Sequence, residues 1–417
     1  MKPVLDFVNQ AELPPRLFFL DWLRVAAIAV LVLYHTAMVY VPEWGFHYKV
    51  PIEADWLKSV TLLTSPWRMG LLWLISGVAF SYMCLSKSLI LLAQKRSNQL
   101  LLPLLIGIFF VVPIQLFVQM KQGGDMPLNF LGFVHAFYFE PKNYFDSYSS
   151  GIWPRFDVNH LWFIRSLWRF SMLALIFYPL IRLGKLTFFI KGVSSNLFYL
   201  VLVFAVPIML IQVYVEGEAV REWYGFTLFL LGFLLGNQNQ FYDTLAKHKL
   251  MLSGIAIFVM LGLQLGFIFI WQANLHEQSP SLNVLIESIY TANKLFPLLM
   301  IMALAYHYLN KPNSAIKRLN DYVYPLYIVH QTVIVALAYI IATNQLMVST
   351  EPENQFLLNL LLSPLVCLIL VIIISKFNLL RVLFGMRLPV SDSVYSSKKM
   401  RGIIFVICIP IIWQLVV

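Results

Sequence analysis

Long apolar runs separated by short polar breaks dominate the pattern along this chain. Runs near the roughly 20 residues needed to cross a bilayer, with turn-forming residues between them, predict ten helical spans at 17–41, 59–83, 100–120, 160–181, 197–215, 223–237, 250–273, 284–309, 322–341 and 356–376. The sixth is short and interrupted by glycine. A further run, Gly402 to Val417, is only marginally long enough to cross. No internal repeat, low-complexity tract or linker divides the chain. The expected fold is all-α: a polytopic membrane bundle of about ten transmembrane helices over 17–376, after a short segment at 1–16 and before a basic tail with an apolar run at 377–417.

Composition agrees with this pattern. Of 417 residues, 60% are hydrophobic, 15% aromatic and only 12% charged, with a mean hydropathy of +0.75. A soluble chain carries about twice that charged fraction, so separate soluble domains are excluded. Cys84, Cys367 and Cys408 lie inside or beside apolar runs. They are too few for a disulfide framework and read as small core hydrophobes. The first run is too long for a signal peptide and contains Asp21, Arg24 and His35, so it is expected to remain as the first helix.

Lysine and arginine are unevenly distributed between alternate connections. One set carries Lys87, Lys95, Arg96, Arg182, Lys185, Lys191, Lys247, Lys249, Lys311, Lys317, Arg318, Arg381, Arg387, Lys398, Lys399 and Arg401. The other is richer in acids, with Glu43, Glu53, Asp55, Glu216, Glu218, Glu277, Glu351 and Glu353. The positive-inside rule then predicts a cytoplasmic N-terminus. The net charge of +10 needs no nucleic-acid partner, because basic cytoplasmic loops give the same balance. The longest connection, 121–159, lies on the outer side in this topology. Its Phe137, Tyr138, Phe139, Tyr144, Tyr148 and Trp153 suit a lid or sugar-stacking surface, or equally an interfacial aromatic belt.

A charged side chain within a span is costly and defaults to a functional hypothesis. Arg24 and His35 are eleven residues apart, so they share one face of the first helix, separated by about 16 Å of rise. Asp21 falls near the same stripe and is placed to pair with Arg24. One helix face thus offers a cation for an anionic ligand and, further out, an imidazole able to take a proton from a hydroxyl. A hydrogen-bonded core histidine and a snorkelling arginine are the plainer alternative. The second span adds Arg68, in the same half as His35, and Ser76-Gly77, which reads first as a small-residue patch for close helix approach. The fourth opens with His160-Leu161-Trp162-Phe163, followed by Arg165 and Arg169 on one face. Glu287 and Lys294 share a face of the eighth and are expected to pair with each other or with polar groups elsewhere. The ninth holds Tyr324-Pro325-Leu326-Tyr327-Ile328-Val329-His330; for His330 taken alone, a core hydrogen bond is the plainer reading.

Together these stretches resemble the membrane-bound acyltransferase-3 family, and within it the glucan biosynthesis protein C branch. The resemblance rests on Phe19-Leu20-Asp21-Trp22-Leu23-Arg24 running to Tyr34-His35, Arg68 with Ser76-Gly77, His160 to Phe163, and Tyr324 to His330, so it spans nearly the whole chain. It implies a ten-helix bundle that O-acylates exported carbohydrate using cytoplasmic acyl-CoA, acetyl-CoA or succinyl-CoA, as co-substrate, with no bound cofactor. It also implies that His35 is the general base and Arg24, with Asp21, a required cation on the donor path. Arg68, His160, Trp162, Arg165 and His330 are expected at the site, with Lys95 and Arg96 on the donor's phosphates. The family's paired arginines before a proline are incomplete here: Arg96 precedes Pro103, but Gln99 stands at the second position. The implied partners are acyl-CoA, a carbohydrate acceptor on the outer side and the lipid bilayer. The implied location is a bacterial inner membrane, and the branch suggests an osmoregulated periplasmic glucan, although another exported glycan fits the residues equally well. No metal site is expected, because the histidines fall on separate helices without ligand spacing. A proton-coupled secondary transporter would also carry intramembrane charges, but no repeat or paired set of broken helices supports one. A non-catalytic scaffold leaves the stripe on the first helix unexplained.

Overall fold

The computed structural model describes residues 16–42, 44–50, 54–85, 88–139, 143–148, 156–181, 184–343 and 351–387. Lys87, Arg182, Lys398, Lys399, Arg401, Glu43, Glu53, Trp153 and the run 402–417 lie outside them, as do the side chains of Lys185 and Tyr144. Among the described residues the chain is an all-α bundle, and each predicted span except the second falls on one long helix, the second being split: α1 (Phe19–Met38), α2 (Arg68–Cys84), α3 (Leu89–Gly123), α4 (Trp162–Ile181), α5 (Leu197–Tyr214), α6 (Glu218–Leu235), α7 (Lys249–Trp271), α8 (Pro280–Leu309), α9 (Ser314–Thr343) and α10 (Pro352–Lys376). Eight of these are long and apolar enough to cross a membrane. The others are α2, one residue short of that length, and α6, whose first turns carry Glu218, Arg221 and Glu222.

Burial separates centre from periphery. About two thirds of the apolar window is buried in α3 (67%) and α9 (61%), against 22% in α5 and α7 and 28% in α10. Exposed Val213, Phe258 and Leu361 on the outer helices are what a bundle surrounded by hydrocarbon displays. Prolines inside α3, α5, α8, α9 and α10 are tolerated in such helices because neighbours satisfy the freed backbone groups. In α3 this is visible directly. Just after Pro103 the helix loosens into a π-turn at Gly107–Val111; the Phe109 carbonyl then accepts from Tyr138, and the Val111 carbonyl accepts from Thr332 Oγ1 at 3.1 Å.

Helix α2 packs against α6 at backbone distance. A Cβ at Gly77 would lie 2.0 Å from the Phe229 carbonyl oxygen, and one at Gly232 would lie 2.2 Å from that of Leu74. The small-residue reading of Gly77 therefore holds, and the glycines that interrupt the sixth span are the ones that let it dock. Trp73, fully buried beside this seam, packs on Phe163 and Phe170 of α4 at ring distances of 4.2 and 4.9 Å.

Three boundaries differ from the sequence reading. The second span, expected as one helix over 59–83, is broken at Ser65-Pro66-Trp67 into a short helix, Trp56–Thr64, and α2 from Arg68, because Pro66 has no N–H to continue the helix and its ring crowds the preceding turn. Helix α3 begins at Leu89, not near 100, so Lys95 and Arg96 sit on a helix and not in a connection. The stretch from Leu89 to Leu102 holds no breaker, and its polar residues are adequate helix formers. Helix α9 begins at Ser314 because the Asn313 side chain caps it, accepting from Ala315 N and Ile316 N at 3.0 and 3.1 Å. The 121–159 connection contains a helix, Phe130–Tyr138, capped by Asn129. Phe133, Phe137 and Phe145 close on Met120 and Met126 as a small core of their own. Phe137 is thus a packing residue, not part of a stacking surface.

The α2–α6 seam has no room for a side chain. Gly77→Val should lower stability by about 1–3 kcal/mol, read as a reduced thermal midpoint of the solubilised protein, with Ser76→Ala close to wild type.

Candidate active site

Three imidazoles from three helices meet near one end of the bundle. His35 comes from α1, His330 from α9, and His160 from a single 3₁₀ turn (Asn159–Leu161) leading into α4. His35 Nδ1 lies 2.8 Å from His330 Nε2, with the rings nearly parallel and 5.0 Å apart. His330 Nδ1 in turn lies 2.6 Å from the Tyr327 carbonyl oxygen. A carbonyl only accepts, so His330 Nδ1 carries the hydrogen. In neutral His330 the lone pair is then on Nε2, and His35 Nδ1 must donate to it. This leaves His35 Nε2 as the unprotonated nitrogen, which is the form a base requires.

The same reasoning fixes His160. Its Nε2 donates to the Ile328 carbonyl at 2.9 Å, and its Nδ1 accepts from Gln115 Nε2 at 3.1 Å. Gln115 is fully buried. It also donates to Thr332 Oγ1 at 2.6 Å, and its Oε1 accepts from Gln331 Nε2 at 3.1 Å. The Tyr327 hydroxyl donates to the His160 carbonyl. His160 and His330 stand edge to face at 5.4 Å. The network ties α3, α4 and α9 together behind His35. Gln115, Gln331 and Thr332 were not among the residues expected at the site. Their only trace in the sequence is amide and hydroxyl groups inside otherwise apolar runs. Among the described residues no three His, Cys, Asp or Glu side chains are grouped to hold a metal ion.

Arg68, at the start of α2, lays its guanidinium 3.2 Å above the Tyr34 ring, whose edge also meets His35 at 5.6 Å. Its Nε and Nη1 are buried without a hydrogen-bond partner. Arg68 is half-buried as a residue, yet these two donors are shielded from solvent and close to the Tyr34 ring that also contacts His35.

At the other end of α1, Arg24 donates to Asp21 at 3.2 Å, and Asp21 also accepts from Arg16 at 2.6 Å and Asn320 at 3.1 Å. Arg96 reaches Ser171 Oγ at 3.1 Å and lies over Phe80 at 5.4 Å. Arg96 and Arg387 both come close enough for their charges to act on Arg24. Arg387 entered the sequence reading only through the charge asymmetry. The chain turns there through Gly385 (φ 69°), against Tyr324 and Pro103.

Trp162 and Arg165 are not joined to the imidazoles by any hydrogen bond or ion pair among the described residues. Arg165 pairs with Glu222 of α6 at 3.7 Å, Ser166 donates to the same carboxylate at 2.7 Å, and Arg221 covers the Trp162 ring at 4.1 Å. Arg169 points outward. Lys294 and Glu287 are linked through Gln212 of α5, which accepts from Lys294 Nζ at 2.6 Å and donates to Glu287 at 3.2 Å.

A family model described as "Acyltransferase domain", of the acyltransferase-3 type, matches residues 17–376. No curated protein and no solved structure matches the chain.

His47, in the connection after α1, lies beside Phe46, which stacks on His35 at 6.0 Å. Burial holds the His47 imidazole below its ordinary range, opposed by hydrogen bonds with Gln119 and Asn159 and by the charge of Asp157. A lowered value in the folded state means that stability from this group is complete above the unfolded value near 6.5 and is lost as pH falls through the folded one. Between pH 7.5 and 5.5 the thermal midpoint of wild type should therefore fall by about a few degrees more than that of His47→Gln. Parallel pH dependence of the two proteins would contradict this.

Proposed function

This integral membrane protein belongs to the acyltransferase-3 family, whose domain it carries over 17–376, and we propose that it transfers an acyl group from cytoplasmic acyl-CoA to a hydroxyl of an exported carbohydrate, with His35 as the general base. The observation that carries this reading is the hydrogen-bond chain from His35 Nδ1 through His330 to the Tyr327 carbonyl, which leaves His35 Nε2 free to accept a proton.

The reaction follows from that arrangement. The acceptor hydroxyl gives its proton to His35 Nε2 as its oxygen attacks the thioester carbonyl. The carbonyl π pair moves onto oxygen, and the unused donors of Arg68 stabilise the oxyanion. Collapse re-forms the carbonyl and breaks the C–S bond, and the departing thiolate takes the proton from His35. The products are the O-acyl carbohydrate and free coenzyme A. His330 positions His35 and stabilises its charged form without touching substrate, and His160 braces His330 from the other side.

In this reading the N-terminus is cytoplasmic, the membrane is a bacterial inner membrane, and the arginines at the inner end of α1 receive the donor. The nucleotide end of acyl-CoA carries several negative charges and cannot enter hydrocarbon cheaply. It stays near Arg24, Arg96, Lys95 and Arg387, while the thin pantetheine arm covers the roughly 16 Å of helix rise to His35. Asp21 holds Arg24 in place. The acceptor arrives from the opposite face, and the resemblance to the glucan branch supports a periplasmic glucan as acceptor.

Proteoliposomes supplied with labelled acetyl-CoA or succinyl-CoA and a periplasmic glucan extract test the proposal, with acylation scored by mass spectrometry. Wild type should transfer label. His35→Ala should lose about 100- to 10,000-fold in turnover, and His330→Ala should lose turnover with little change in KM for either substrate. Transfer surviving in a folded His35→Ala would overturn the assignment of the base. No transfer by wild type from either donor would overturn the activity.

A further inference from the structure

Between the ends of α1, α5, α7 and α8, on the His35 side of the bundle, lies a cavity of 470 Å³ that the chemistry above does not use. Its walls include Tyr34, Trp44, Trp271 and Tyr290, and two of its polar groups are Gln212 and Glu287. These last two form a ladder with Lys294: ammonium to amide at 2.6 Å, and amide to carboxylate at 3.2 Å. Lys294 is itself buried, its ammonium 5.1 Å from the Tyr290 ring and 5.4 Å from that of Tyr224. Gln212 thereby holds the Glu287 carboxylate by one oxygen, and both residues line the cavity.

A pocket for an acyl or lipid tail is well served by apolar walls alone, and a half-buried carboxylate and amide anchored on a buried lysine in such a wall are a cost without a return. The combination here is different. Flat aromatic faces suit the C–H faces of a sugar ring, while a held carboxylate and amide suit its hydroxyls, so a few placed polar groups within an aromatic wall fix orientation. Position matters as well. Tyr34 lines the cavity and carries Arg68 on its face, with His35 against its edge. Neither His35 nor Arg68 lines the cavity itself; Tyr34 is the side chain shared between it and the proposed base and oxyanion site.

One face of Trp271 is already stacked on His276 at 4.1 Å, so only its other face is free. We propose that this cavity is the subsite for a pyranose ring of the acceptor, with Tyr290 and the free face of Trp271 as stacking surfaces and the Glu287–Gln212 pair as the hydroxyl-binding group. This inference rests on the carbohydrate acyltransferase reading and names where the sugar sits.

The test separates the two. Binding of a β-linked glucohexaose to the purified full-length protein is measured by calorimetry without any acyl-CoA, so it does not depend on transfer. Wild type should bind, and Trp271→Ala and Glu287→Gln should each weaken binding by about tenfold or more. Trp271→Phe, which keeps a ring and preserves packing, should retain most of it. In the transfer assay the first two variants should raise KM for glycan and leave KM for acyl-CoA unchanged. Glucohexaose affinity equal to wild type in both variants, or no binding by wild type, overturns the subsite. Transfer that continues normally in both variants sinks the subsite alone and leaves the acyltransferase reading standing.

Discussion

The 2.8 Å contact between His35 Nδ1 and His330 Nε2 is the interaction on which the rest of this site depends. It joins two helices far apart in sequence, and it has a direction because His330 is committed on its other side to a carbonyl. That commitment decides which nitrogen of His35 carries hydrogen. The backbone of α9 does a second service one residue later, where the Ile328 carbonyl accepts from His160. Two consecutive carbonyls of one helix, two and three residues after Pro325, thus set the tautomers of two histidines, one on α9 and one at the start of α4. The π-turn in α3 contributes to the same end, since Thr332, bonded to Gln115, also reaches the Val111 carbonyl there.

Electrostatics divides the bundle along α1. At one end guanidiniums gather around Arg24 with Asp21 between two of them; at the other, neutral imidazoles stand beside Arg68. Elsewhere intramembrane charges have partners: Arg165 faces Glu222, although Arg165 Nε and Glu222 Oε2 stay unbonded, and Lys294 reaches Glu287 through Gln212. Buried charges need such partners. Arg68 differs because, among the described residues, it faces no carboxylate and lies over the Tyr34 ring.

Much of this was legible in the sequence, for a physical reason. Charge inside an apolar run is conspicuous, so Asp21, Arg24, His35, Arg68, His160 and His330 all stand out, and the pairing of Asp21 with Arg24 follows from helical spacing. The positions of the spans were legible because hydrocarbon demands long apolar helices. Trp162 and Arg165 stood out equally, yet their nearest partners are on α6. Which helix lies beside which is a tertiary fact that periodicity does not encode. Gln115, Gln331 and Gln212 were invisible for the opposite reason: an uncharged amide barely alters an apolar run, but inside a bundle it carries two donors and an acceptor. The aromatic 121–159 connection is legible only in part, because composition does not separate rings that pack from rings on a surface: Phe133, Phe137 and Phe145 hold the connection together, whereas Phe139 is exposed.

The acceptance of a hydrogen bond by His330 from His35 Nδ1 leaves His35 Nε2 unprotonated. Nitrogen-15 NMR of ring-labelled histidine in the intact protein, with His35 assigned by its loss in His35→Gln, reads this tautomer. The expected spectrum shows a pyrrole-type, protonated Nδ1 and a pyridine-type, unprotonated Nε2 for His35 at neutral pH, with that preference lost in His330→Ala. A protonated Nε2 in the wild type, or the same tautomer in both proteins, would contradict it.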